Sequence, residues 1–339
     1  MLSLFLATAA AVGKVALIAG GGVWLGRRGI LDGAGNALLS RVVFNLLLPC
    51  LLFSKISSSI SWETLRVLWI LPVLAVVYVG IGFLLGLGGA RALRLPVDQV
   101  RQYVAASAFG NSGYLPMVLI VTMAGTVPAL REIEGAGDLG VSYVAVYLIG
   151  LTACLWGGGY PYLGGIRLRT IRWDKIFTPP IYALLAGAVV GLSPLRHLLH
   201  GASPPLAMVA GAVDTVGMAT IPCAIVVLGG NLARGPVAGA VPWRATAGVV
   251  VTRLLVMPLV GLAAGLLLLR IGLIPRDNPI LLLVVMLESA MPSAANLVVM
   301  CQLHGRGEQA MATTLFWVYL ISLGTLAVYG SLYLHMATG

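Results

Sequence analysis

The sequence predicts an all-α membrane protein with ten transmembrane helices in a 5+5 inverted repeat, the fourth and ninth helices broken and crossed. Three observations predict it. Hydrophobic residues are 59% and charged residues 9% of the 339, against about 25% charged in an average soluble domain, and the mean hydropathy is +1.00. Apolar runs of about 18 residues or more, each long enough for a hydrocarbon core about 30 Å thick, recur along the whole chain. Two prolines, Pro116 and Pro292, interrupt such runs within polar stretches at matching places in the two halves. A pair of interrupted membrane helices is the sequence feature that points to a carrier's binding site.

In chain order the spans are expected at 3–26, 35–57, 64–90, 99–124, 138–163, 173–192, 204–232, 244–270, 278–303 and 309–336. The runs lack the alternation of barrel strands, and an open sheet would leave backbone groups unsatisfied in lipid, so these are helices. Span one leads directly from the opening apolar run, with Lys14 as the first basic residue, and is expected to remain as a span rather than be cleaved. Span two carries Leu48-Pro49-Cys50 and span seven Ile221-Pro222-Cys223. Pro49 and Pro116 are 67 residues apart, and Pro222 and Pro292 are 70 apart. Five helices repeated once, an odd number per unit, enter the membrane from opposite sides. The expected division is a first repeat at 1–165, a short cytosolic linker at 166–172 and a second repeat at 173–339, forming one membrane domain.

Lys and Arg set the orientation. One side of the ten spans holds twelve, among them Arg27, Arg91, Arg101, Arg167, Arg169, Arg172, Lys175 and Arg306, and the other holds five. The positive-inside rule places the first set in the cytosol and both termini outside or in a lumen. The net charge of +10 therefore reflects loop topology, and no basic patch interleaved with aromatics suggests nucleic acid. Cys50, Cys154, Cys223 and Cys301 show no metal or disulfide spacing. No nucleophile, base and orienter constellation is present, so no enzyme is expected. No phosphate loop follows the glycine clusters, and neither a cofactor nor a metal is expected.

The polar residues inside the spans are the candidate site. In span four, Gly110, Asn111, Ser112 and Gly113 precede Pro116; in span nine, Ser293 and Asn296 flank Pro292. Proline removes a donor and crowds the preceding turn, so each helix is expected to part, its second half starting near the proline. Two half-helix N-termini facing one pocket, each worth about half a positive charge, favour an anion. Lys14, Arg41, Lys55 and Arg253 fall within spans, and Arg253 is the deepest. Its candidate partners are Glu288 and Asp214, as a structural ion pair or as a coupling group. Lys55 and Arg41 lie nearer helix ends, where long cationic side chains reach the interface.

Asn45-Leu-Leu-Leu-Pro-Cys-Leu-Leu-Phe53, Phe109-Gly-Asn-Ser-Gly-Tyr-Leu-Pro-Met117, Ala290-Met-Pro-Ser-Ala-Ala-Asn296 continuing to Gly305, Glu308 and Thr314-Leu-Phe-Trp-Val-Tyr319 together resemble the auxin efflux carrier family. They look most like its PIN-LIKES branch, over nearly the whole chain. The resemblance implies a fold of the bile acid and auxin transporter type and an elevator-like movement against a scaffold that often forms a homodimer. It implies auxins such as indole-3-acetate as cargo, carried across the endoplasmic reticulum membrane so that available auxin falls. By position, Asn111, Pro116, Pro292 and Asn296 would hold the carboxylate and shape the crossover, with Ser112 and Ser293 beside them. Two departures stand out: the segment around Arg167 to Lys175 is shorter than the branch's hydrophilic loop, and Tyr114 replaces a smaller polar residue. Two other readings keep the membrane setting: a proton- or sodium-coupled symporter of small dicarboxylates or bile-acid-like anions using Glu288 or Asp214, and a non-transporting sensor.

Overall fold

The computed structural model describes residues 2–165, 178–201 and 204–338, and every extended element among them is a helix. The main ones are α1 (Leu2–Arg27), α2 (Gly33–Ser59), α3 (Leu65–Ala92), α4 (Val97–Ala108), α5 (Tyr114–Thr126) and α6 (Ala136–Gly164). They continue with α7 (Pro179–Gly191), α8 (Ala207–Leu232), α9 (Trp243–Arg270), α10 (Pro279–Ala290), α11 (Asn296–Leu303) and α12 (Glu308–Thr338). Seven of these, α1, α2, α3, α6, α8, α9 and α12, are long and apolar enough to cross a membrane. The fourth and ninth expected spans are each two helices end to end, α4 with α5 and α10 with α11. The sixth is α7, which starts at Pro179 after the extended cap residue Thr178; residues 173–177 lie outside the described residues. The expected linker at 166–172, with Arg167, Arg169 and Arg172, lies outside them too, as does Lys175.

Proline has two different effects in this chain. In α2, α6 and α9 a π turn, Val43–Leu47, Leu155–Gly159 or Thr252–Val256, stands just ahead of Pro49, Pro161 or Pro258. The ring crowds the carbonyl four residues back, the ladder widens by one residue, and the helix continues. In α8 the helix steps at Ala219, three residues before Pro222. At Pro116 and Pro292 the surrounding Gly, Asn and Ser offer the backbone other conformations, and the helix stops altogether.

The core is centred on α10, in which every residue from Ile280 to Ala290 is buried. A helix apolar on all faces belongs inside, and α10 packs against α9, α12 and α6. Peripheral to it, α1 lies along α8 and α2 lies along α7. Along α1 and α8 the backbones nearly touch: a Cβ on Gly229 would lie 2.0 Å from the Ala19 carbonyl oxygen, and one on Gly22 would lie 2.2 Å from that of Val226. Small residues that admit such approach are what holds apolar helices together in lipid.

Replacing Gly229 by leucine is expected to force α1 from α8 and cost about 1–3 kcal/mol, the usual cost of overpacking. Thermal unfolding in detergent should show a clear drop in midpoint, whereas Gly211→Ala, with nothing within 4 Å of the new Cβ, should melt as the parent does.

Candidate functional site

The two breaks meet. Phe109 to Gly113 and Met291 to Ala295 run antiparallel past each other, with Gly110 opposite Ser293 as a single β-bridge. The Asn111 N–H donates to the Pro292 carbonyl at 2.7 Å, and the Ala294 N–H donates to the Phe109 carbonyl at 2.9 Å. Each interrupted helix thus pairs backbone groups that its partner's interruption released, as backbone removed from water requires.

The four helix ends around this bridge are treated unequally. Those ending in carbonyls are covered: Ser293 Oγ donates to the Ala106 carbonyl of α4 at 2.6 Å, and Arg253 Nε donates to the Met291 carbonyl, just past α10, at 2.9 Å. At the start of α5 the Tyr114 and Leu115 N–H groups find no backbone carbonyl among the described residues. Helix N-termini carry partial positive charge and C-termini partial negative charge. Capping the carbonyls while leaving N–H groups open gives the crossover a net positive face.

Arg253 adds a full charge. It is 2% exposed, and its guanidinium packs so closely on Gly110 that a Cβ there would lie 1.9 Å from Nη2. A side chain at 110 would displace the guanidinium from this position, a requirement invisible until α9 is placed beside α4. Among the described residues Arg253 Nη1 has no hydrogen-bond partner. Glu288, fully buried on α10, lies near Arg253, Ser112 and Tyr147, yet among the described residues both its oxygens and Ser112 Oγ are without a hydrogen-bond partner in good geometry.

Of the two expected partners of Arg253, Glu288 lies near it without forming an ion pair and Asp214 is engaged elsewhere. Asp214 accepts from Lys55 Nζ at 2.9 Å and Ser54 Oγ at 2.7 Å on α2, and no ion pair joins Arg253 to Glu288 among the described residues. The guanidinium goes instead to the carbonyl end exposed by the break. Lys55 does not reach for the interface: its ammonium is held between Asp214 and Asp138. Arg41 is exposed, as is Lys14.

The two prolines sit differently from each other. Pro116 is the third residue of α5, where its missing N–H is one of those without an intrahelical partner. Pro292 lies in the extended break, four residues before α11 begins at Asn296, because its carbonyl is engaged by Asn111. The two asparagines are not equivalent. Asn111 Nδ2 donates to the Tyr319 hydroxyl on α12 at 2.6 Å, while the Asn296 side chain is exposed and bonds to none of the described residues.

Tyr319 is the residue that sequence reasoning left without a role. Besides holding Asn111, it lines an almost wholly apolar cavity of about 170 Å³ between α1, α5, α8 and α12, together with Leu115, Leu119, Leu228 and Phe316. An apolar cavity of about 150 Å³ is enough to take up benzene, so a ring fits beside the crossover's positive face. Tyr114 packs against Val43, Leu47 and Ala224, so it spans from the crossover to α2 and α8. The only available signal for Tyr319 was its place in Thr314-Leu-Phe-Trp-Val-Tyr319, which carries no spacing rule of its own.

Comparison with known proteins places the chain among membrane transporters. The chain is 26% identical to Protein PIN-LIKES 1 of Arabidopsis thaliana over 381 aligned residues, covering 99% of this chain and 80% of that protein. It is 24% identical to Protein PIN-LIKES 3 of the same plant, over 99% of each chain. An uncharacterized transporter of Saccharomyces cerevisiae is 24% identical over 94% of each. The profile of the family described as membrane transport protein matches residues 8–159 and 167–330. These are transporters rather than enzymes, and this chain belongs to the membrane transport protein family.

Proposed function

We propose that this protein carries an aromatic carboxylate of the auxin type, such as indole-3-acetate, across the endoplasmic reticulum membrane and so lowers available auxin. The observation that carries the reading is the crossover itself: open N–H groups, Asn111 and the buried Arg253 guanidinium lie beside an apolar cavity of about 170 Å³. The carboxylate takes the positive face, the ring takes the cavity, and Asn111, Ser112 and the α5 N-terminus orient it. Asn296 and the α11 N-terminus complete the site when substrate is present. The PIN-LIKES resemblance supports the cargo and the membrane.

The fold behind this is a ten-span inverted repeat of five and five, with both termini lumenal. Its support is the packing: α1 along α8 and α7 along α2 are the same pairing exchanged between halves, as are α3 with α4 and α9 with α10. Movement is of the elevator type. The helices built around the breaks shift as one body against α1, α2, α7 and α8. Because Arg253 supplies a fixed positive charge, no co-transported cation is needed. Moving one negative charge through 100 mV is worth about 2.3 kcal/mol, enough to drive flux.

One observation favours a second reading. Among the described residues Glu288 keeps two buried oxygens without a hydrogen-bond partner in good geometry, a group suited to carrying a proton in a coupled symporter of small dicarboxylates. Asp214, bound by Lys55 and Ser54, has no such freedom.

Purified protein in proteoliposomes on a solid support should give a saturable current with indole-3-acetate that is unchanged by removing sodium or the pH gradient. A response to malate alone, dependent on either cation and lost in Glu288→Gln, would establish the symporter. Asn111→Ala is expected to lower indole-3-acetate flux about ten- to a hundred-fold, the value of a charge-assisted hydrogen bond of about 1.5–3 kcal/mol. Arg253→Lys should keep expression and monodispersity while weakening apparent affinity, since an ammonium lacks the guanidinium's fork. Wild-type flux in both Asn111→Ala and Asn296→Ala would refute the crossover site.

A further inference from the structure

A second polar cluster lies away from the crossover, where the C-terminal part of α2 meets the first turns of α6 and the middle of α8. Lys55 Nζ is 2.9 Å from Asp214 Oδ1 on α8 and 3.1 Å from Asp138 Oδ1 on α6. One turn further along α2, Ser59 Oγ donates to Ser142 Oγ of α6 at 2.6 Å, and the Ser142 hydroxyl also lies 3.1 Å from the Lys55 carbonyl. The neighbouring groups are spoken for: Ser57 pairs with His200 at 2.9 Å, and Arg196 donates to the Ser58 carbonyl at 2.7 Å. Burial first, and then Arg196, hold the His200 imidazole below its ordinary value, so the charges in play are the Lys55 ammonium, the Arg196 guanidinium and two carboxylates.

The two carboxylates are not matched. Asp214 is one-third exposed and also accepts from Ser54, whereas the Asp138 side chain is 62% exposed and its only side-chain partner among the described residues is Lys55. An ion pair with a well-solvated member is weak and readily exchanged for water. Lys55 is therefore bound firmly toward α8 and loosely toward α6. The packing draws the same line, since α2 lies with α7 and α8 while α6 lies with α3 and α5.

We propose that Lys55–Asp138 and Ser59–Ser142 form a latch between the stationary helices α2 and α8 and the moving body that contains α6. It opens and closes once in each transport cycle, which makes Lys55 a positioning residue that acts without touching substrate. The proposal rests on the elevator reading given above. Asp214 keeps the ammonium fixed on α2 while α6 departs, so the latch re-forms when α6 returns.

Two experiments test it. In a background with the native cysteines replaced, Ser59→Cys with Ser142→Cys should form a disulfide on oxidation. Indole-3-acetate flux should then fall at least ten-fold and return with reductant. Unchanged flux after complete cross-linking, confirmed by mass spectrometry, would overturn the latch. The second readout needs no substrate: spin labels at the exposed positions Leu38 on α2 and Ala153 on α6 should report two distance populations. Lys55→Met should deplete the latched population, and Lys55→Arg should restore it. The same distribution in the parent and in Lys55→Met would also overturn the proposal. Absent flux in the parent together with a Lys55-dependent shift in distance would support the latch and refute the indole-3-acetate reading.

Discussion

The rest of this structure depends on one exchange of backbone hydrogen bonds. Two helices are interrupted in the interior, where unpaired N–H and C=O groups cost several kcal/mol each. The pairing of Asn111 with Pro292 and of Ala294 with Phe109 resolves both interruptions at once. Neither break is tolerable without the other, so the exchange fixes the relative position of α4, α5, α10 and α11. It also explains why α10, carrying Glu288, lies wholly inside the protein. The hydroxyl of Ser293 reinforces the arrangement by holding the last turn of α4.

Charge at the crossover follows from which helix ends are capped. A break always produces one carbonyl end and one N–H end, of opposite polarity. Here Ser293 and Arg253 neutralise the carbonyl ends, and Arg253 leaves a surplus of positive charge. Its guanidinium reaches that place only because residue 110 has no side chain. Backbone ends, one arginine and one glycine thus act together to set the polarity of the crossover. The cavity lined by Tyr319 is almost wholly apolar.

The kind of contact differs between the helix pairs. The α1–α8 contact is built on glycines whose backbones nearly touch, a geometry that allows little sliding. The α2–α6 boundary instead relies on hydroxyls and a partly solvated ion pair, contacts that water replaces at small cost. The π turns ahead of Pro49, Pro161 and Pro258 let long helices bend around the core without losing continuity.

How much of this was legible in the sequence follows from the range of each interaction. Span positions were, because hydropathy over about 20 residues decides membrane insertion and needs no tertiary partner. The two breaks were, because glycine and proline act on their own backbone, although Pro292 turned out to precede α11 rather than start it. The partners of polar groups were not. Asn111 meets Tyr319 across 208 residues, and Lys55 meets Asp214 across 159. Arg253 was recognisable as a buried cation, yet its neighbours Met291 and Gly110 offer a carbonyl and an absence, which no residue pattern encodes. By itself the sequence determined a helical membrane chain with two interrupted helices, since those follow from local hydrophobicity and local backbone chemistry. Only the tertiary structure decided which helix ends face one another, which charges pair and which cation serves the crossover, because those depend on distances between segments far apart in the chain.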